Sequence, residues 1–160
     1  MDVQGVEVVP SLTIAKELTL SGNVTVLDET HADAPLPFAT AFLTPPRPLR
    51  VAKHTASALL EYARSGSFLP HDKITANVNY IFIGDRDDIT VSGVPPIANH
   101  SAYSLVNAVV SYTIGIPLNH VHNEEVFARV NNLMDRNYSE AFGFKAPTIN
   151  VLAGVKLDFD

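Results

Sequence analysis

The chain has 160 residues, a length suited to one domain, of which 46% are hydrophobic and 18% charged. Its 11 basic and 17 acidic residues leave a net charge of −6, which excludes the clustered Lys and Arg of a nucleic-acid surface. Cysteine is absent, so disulfides, thiolate metal sites and a cysteine nucleophile are excluded too.

The opening "MDVQGVEVV" has no basic region followed by a long apolar stretch, so it does not read as a signal peptide. Period-two alternation predicts a first strand at 3–9, a short connection at 10–17 and a second strand at 18–27. The segment 28–52 reads as a long loop, because Pro35, Pro37, Pro45, Pro46 and Pro48 remove backbone donors. Strands follow at 53–62 and 73–83 around a short connection at 63–72. The second of these, "KITANVNYIFI", puts Ile74, Ala76, Val78, Tyr80 and Phe82 on one face and Thr75, Asn77 and Asn79 on the other. After a longer loop at 84–101, strands are predicted at 102–114, 124–132 and 148–159, joined by a short connection at 115–123 and a long one at 133–147. No Asp, Glu, Lys or Arg occurs from Gly93 to Asn123, yet Pro95, Pro96, Gly115 and Pro117 interrupt that stretch and its centre alternates, which rules out a membrane helix there.

Several of these strands have about ten residues, the length that crosses a bilayer at a tilt. Long and short connections alternate, as they do in outer-membrane barrels. Glu7, Lys53, Glu61, Lys73, Arg129, Lys156 and Asp158 fall on the polar parity of their strands, whereas Asp28 and Glu124 take the apolar parity only at strand ends. Lipid would impose this placement, since a lipid-facing Arg or Lys costs roughly 2–4 kcal/mol at the bilayer midplane. Tyr62, Tyr112 and Phe159 would form one interfacial aromatic belt, and Tyr80 and Phe82 the other. The expectation is an all-β chain of seven antiparallel strands, forming part of a transmembrane β-barrel as an open curved sheet. A soluble β-sandwich binding module, for example a carbohydrate binder, produces the same alternation turned inside out.

"FARVNNLMDRNYSEAFGFKAP", followed by a last strand ending "GVKLDF", resembles the end of TonB-dependent outer-membrane receptors. The penultimate strand of that family leads into a pattern N-L-F-D-x-x-Y. Here Val130, Asn132, Leu133, Asp135 and Tyr138 match, and Met134 replaces the usual Phe. "GVEVV", "LTLSGNVTVLDE", "KHTASALLEY", "ITANVNYIFIGDRDD" and "AYSLVNAVVSYTI" look like earlier strands of the same barrel, so the resemblance covers residues 1–160 almost throughout. It implies a barrel of roughly 22 strands filled by an N-terminal plug. Such a receptor sits in the outer membrane of a Gram-negative bacterium. It imports a scarce small-molecule ligand, an iron chelate (ferric siderophore) or cobalamin, with energy from the TonB complex. Plug and signal peptide are expected to lie outside this chain, which would be the C-terminal segment of the barrel and inactive alone. The resemblance also makes Phe159 the terminal aromatic read by the barrel-assembly machinery, although Asp160 follows it.

The knot at 131–144 is expected to turn the chain at the rim, with Asn and Asp side chains satisfying backbone groups, Val130 completing the lipid-facing stripe, and Phe142 and Phe144 either capping the rim, the preferred reading, or facing ligand. Arg129, Lys156, Glu61, Asn77 and Asn79 are the lumen-facing candidates. The two cations could meet an anionic ligand or the plug, with pairing to Glu61 or Asp158 as the structural alternative. His120 and His122 could ligate a metal only with a third ligand, and "DRDD" at 85–88 lacks the spacing of a calcium loop, so both read as solvated. No nucleophile elbow, phosphate loop or dinucleotide fingerprint occurs, so neither an enzyme nor a cofactor is expected.

Overall fold

In the computed structural model, which describes residues 2–30, 49–90, 97–115, 121–141 and 143–159, alternation becomes one large antiparallel sheet. The strands are β1 (Asp2–Val8), β2 (Ser11–Ala15), β3 (Leu18–Thr30), β4 (His54–Ser65), β5 (Lys73–Ile83), β6 (Arg86–Ile89), β7 (Ile97–His100), β8 (Tyr103–Thr113), β9 (Val121–Asn131), β10 (Ser139–Ala141), β11 (Phe144–Lys145) and β12 (Asn150–Phe159). The main sheet has the order β1-β3-β4-β5-β8-β9-β12, with β2 also pairing β3, and it does not close on itself. Each long strand therefore pairs with the next long strand in sequence, as hairpin connections dictate. The chain is all-β, as the alternation predicts.

The first expected connection is mostly strand. Gln4 pairs with Asp28, Val8 with Val24 and Leu12 with Leu20 in one unbroken register, so β1 and β2 are two halves of a single strand. Pro10 separates them. Gly22 N donates to Pro10 O at 2.9 Å, but proline has no N–H to return the bond. The alternation Ser11, Leu12, Thr13, Ile14 then resumes, and only Lys16 and Glu17 form the turn. The longer connections also hold structure of their own: β6 pairs with β7, and β10 with β11.

Cross-strand register shows what alternation builds. Leu12, Leu20, Leu60, Val78, Ala108, Val130 and Val151 are successive partners across the sheet, so they form one apolar row on one face. The flanking row is Leu18, Tyr62, Ala76, Val110, Ala128 and Ala153. No second sheet packs on these rows among the described residues: Val78 is 44% exposed, Val110 49% and Val151 67%. The only buried apolar residue among the described ones is Ala52, whereas Asp72, Arg86, Asp87, Asp88, Thr90, Ser111, Glu124 and Asn132 are buried. This inverts the usual arrangement of a water-soluble domain.

Candidate functional site: the polar face and its rims

The opposite face carries the polar parity. Glu61, Asn77, Val109, Arg129 and Leu152 are partners in one row, and Asn79 lies beside Asn107 in the next. Glu61 and Asn77 are thus neighbours. Arg129 stands three strands from Glu61, roughly 14 Å at the usual interstrand spacing, too far for an ion pair. Lys156 faces Glu125 across β9–β12, and its Nζ lies 3.5 Å from Asp158 Oδ1. Both side chains are substantially exposed, so this pair adds little stability. The alternation puts Asn150 with Thr148, Lys156 and Asp158 on the polar side of the last strand, but it did not single out Asn107 or Asn131. Their signal was parity, since each takes the polar position of its strand beside Asn79 or a neighbouring amide.

Phe127 lies on this face over Gly154, where an added Cβ would meet the ring at 2.8 Å. The aromatic ring covers backbone that glycine leaves bare.

At the rim beyond β9, the predicted turn is built by amides and carboxylates. Asn132 has φ 53 and Asp135 φ 49, left-handed backbone that Asn and Asp tolerate better than most residues. Asn132 is 3% exposed. Its Nδ2 donates to the carbonyls of Arg136 (2.9 Å) and Pro147 (3.3 Å), and its Oδ1 accepts from Arg136 N (2.8 Å). Asp135 Oδ1 accepts from Ile149 N at 3.1 Å. Tyr138 packs against Tyr103 with ring centroids 4.7 Å apart. Asn132, Asp135 and Tyr138, the residues that carry the family resemblance, are therefore the architecture of the rim. Phe144 is 71% exposed and lines an open cavity with Tyr138 and Pro147 at this rim; Phe142 lies outside the described residues.

Three of the four residues of "DRDD" are not solvated. Asp85 is exposed, but Arg86 is 5%, Asp87 6% and Asp88 1% exposed. The reason is long-range: Leu49 bridges to Asp87, Arg50 N donates to Asp87 O at 2.7 Å, and Arg50 Nε reaches Asp88 Oδ1 at 2.8 Å. His100 Nε2 sits 3.5 Å from Asp88 Oδ2. From the same hairpin, Arg86 donates to the carbonyls of Ser139 (2.9 Å) and Glu140 (3.1 Å) and lies 5.4 Å from the Tyr103 ring centroid. The β6–β7 hairpin thus ties the segment entering β4 to the segment leaving β9.

The other end of the sheet has a second polar knot. Asp72 is fully buried and accepts from Ser67 N (2.6 Å), Phe68 N (2.8 Å), Leu69 N (3.0 Å) and Tyr112 Oη (2.9 Å). Burial alone would raise its pKa. The N–H groups of Leu69 and Phe68, the Tyr112 hydroxyl and the N–H of Ser67 together outweigh burial and hold the carboxyl below its ordinary 3.8. Gly115, at φ 63, lies so close to His71 O that no Cβ would fit. Glu124, expected at a strand end, lies inside β9 and is 7% exposed, and among the described residues neither carboxylate oxygen has a hydrogen-bond partner.

The tyrosines of the first expected aromatic group and both members of the second lie toward opposite ends of the apolar face. Tyr62 and Tyr112 lie toward the Asp72 turn, where Phe68 meets Tyr112 edge-on at 6.0 Å, and Tyr80 and Phe82 lie toward the rim. Phe159 is the last residue of β12 and pairs with Val121 through the backbone. His120 lies outside the described residues, while His122 pairs with Asp158 in the β9–β12 ladder. Among the described residues no group of three or more His, Cys, Asp or Glu could hold a metal ion. No family model matches the chain, and no curated protein matches it.

Proposed function

We propose that this sheet is part of the wall of a transmembrane β-barrel in a Gram-negative outer membrane, and that the barrel is a receptor of the TonB-dependent type. Its apolar face meets lipid, and its polar face lines the lumen, with Arg129, Lys156, Glu61, Asn77 and Asn79 toward the interior. In this reading Phe159 is the signal read by the assembly machinery. A plug domain fills the complete barrel, and the TonB complex supplies energy for uptake of a scarce ligand such as a ferric siderophore or cobalamin.

One observation carries the reading: among the described residues, an unbroken apolar row from Leu12 to Val151 has nothing packed on it, while the buried residues are mostly polar. Strands of 10 to 13 residues in β3, β4, β5, β8, β9 and β12 match a bilayer crossing. Among the described residues neither β1 nor β12 has a second partner strand, so both edges are open to further strands. A soluble sandwich would need a second layer over Val78, Val110 and Val151, which are exposed.

The test exploits the absence of native cysteine. Asn77 and Val78 are adjacent at one depth but on opposite faces. In the complete gene product, Val78→Cys bearing a fluorophore is quenched by lipid-borne probes and Asn77→Cys reacts with water-soluble thiol reagents. Val78→Arg destabilises by about 2–4 kcal/mol at mid-membrane and Asn77→Arg by much less. A position 78 that escapes lipid-borne quenchers removes the membrane reading.

A further inference from the structure

We propose that the cavity beneath the 132–147 rim is a subsite for a neutral, hydroxyl-rich ligand of the saccharide type, held by a row of asparagine amides. The inference rests on reading the polar face as the lining of a water-filled lumen, and it names the chemistry that this part of the lining selects.

Register makes the row. Asn79 pairs with Asn107 across β5–β8, and Asn131 pairs with Asn150 across β9–β12. The β8–β9 ladder, in which Ala108 faces Val130, brings Asn107 and Asn131 alongside each other. Four amides therefore stand on successive strands at one depth, with the roughly 4.8 Å spacing of a sheet. Over three of them opens a cavity of about 390 Å3, whose walls include Asn107, Asn131, Asn150, Thr148 and Tyr138. That volume falls within the range of roughly 300–1,000 Å3 typical of small-molecule sites.

The lining chemistry is selective. Each asparagine offers two N–H donors and a carbonyl acceptor, and threonine adds a hydroxyl. Asn107 spends its carbonyl oxygen on Asn132 N at 2.9 Å, leaving its N–H donors for a ligand. No Lys, Arg, Asp or Glu lines the cavity. An anionic chelate entering it would lose hydration without gaining a counter-charge, whereas hydroxyl groups exchange water for amides at little cost. Tyr138 adds an aromatic wall of the kind that packs against the apolar face of a sugar ring. The lumen-facing charges of Glu61 and Arg129 lie one row further from the rim, and those of Glu125 and Lys156 further still.

Equilibrium dialysis of the complete gene product in detergent tests this, using radiolabelled neutral trisaccharides of gluco, manno, xylo and galacto type with ferric citrate as anionic competitor. At least one trisaccharide is retained, and ferric citrate does not displace it. Asn131→Leu and Asn150→Leu each weaken retention by roughly three- to tenfold, the value of one hydrogen bond, while Thr19→Val on the same face of β3 leaves it unchanged. Heat-modifiable gel migration reports folding of every variant. Where a leucine variant does not fold, the isosteric Asn131→Asp or Asn150→Asp, which removes the N–H donors, shows the same loss. Retention of none of the trisaccharides at millimolar concentration, equal retention by the asparagine variants, or displacement by ferric citrate overturns the proposal. If lipid quenching at position 78 succeeds while dialysis fails, the barrel reading stands and the subsite falls.

Discussion

Asn132 does three jobs at once. It takes a left-handed backbone at φ 53, it accepts Arg136 N, and it donates to two carbonyls from a side chain that is 3% exposed. Asn132→Ala strands those backbone groups and also places a Cβ residue in left-handed space without a polar side chain to compensate. The expected loss is about 2–5 kcal/mol, from roughly 1–3 kcal/mol for unsatisfied buried polar groups and 1–2 kcal/mol for the backbone. Asn132→Gly removes the hydrogen bonds but not the backbone freedom, so it falls between wild type and Asn132→Ala. Urea unfolding in lipid vesicles reads the order. Equal losses for Gly and Ala would mean that the left-handed backbone contributes nothing. This turn was legible in the sequence, because Asn132, Asp135 and Tyr138 are local to one another and each has a recognisable turn or rim role. The buried Arg86, Asp87 and Asp88 were not. A polar quartet reads as solvated until Leu49 and Arg50 are brought over it, and no local pattern announces that contact.

Among the elements, those with one simple job were the most legible. The strand expected at 73–83 is β5 with the same bounds, since its two faces alternate without interruption. The strand β2 was hidden by Pro10, which removes one ladder bond yet leaves the register intact. The β4–β5 turn shows a different blindness. Its anchor, Asp72, follows Pro70 and His71 in a stretch that reads as an exposed connection, and its partners are backbone amides that sequence does not display. That anchor makes the turn pH-dependent. Because the folded carboxyl titrates below its ordinary 3.8, its stabilising contribution is fully present above 3.8 and is lost as pH falls through the lowered value. The stability difference between wild type and Asp72→Asn is therefore constant at neutral pH and shrinks toward zero in acid. Amide hydrogen exchange at Ser67, Phe68 and Leu69, followed from about pH 6 downward, shows the same trend. A gap between the two proteins that stays constant through the acid range would mean that the negative charge does not hold the turn.

At the scale of the whole molecule, register turns separate alternating strands into two continuous surfaces, and neither surface finishes itself. The apolar rows run across the entire main sheet, and their exposed valines and leucines form a far larger patch than isolated soluble proteins tolerate. At either side the outer strands, β1–β2 and β12, have no second partner strand among the described residues and present unpaired backbone groups. In water the apolar face drives association. In detergent or lipid that face is satisfied, but each unpaired edge group still costs several kcal/mol, so the edges seek other strands. The 160-residue chain expressed alone is accordingly expected to sediment from aqueous buffer and to remain a heterogeneous, protease-sensitive assembly in micelles, with no shift in gel mobility on boiling. Analytical ultracentrifugation and gels run with and without heating measure both halves of the expectation. A monodisperse monomer in plain buffer would show that something covers the apolar face, contradicting the lipid-facing reading. A heat-modifiable, protease-resistant monomer in micelles would leave that face intact and show instead that the two edges can pair with each other.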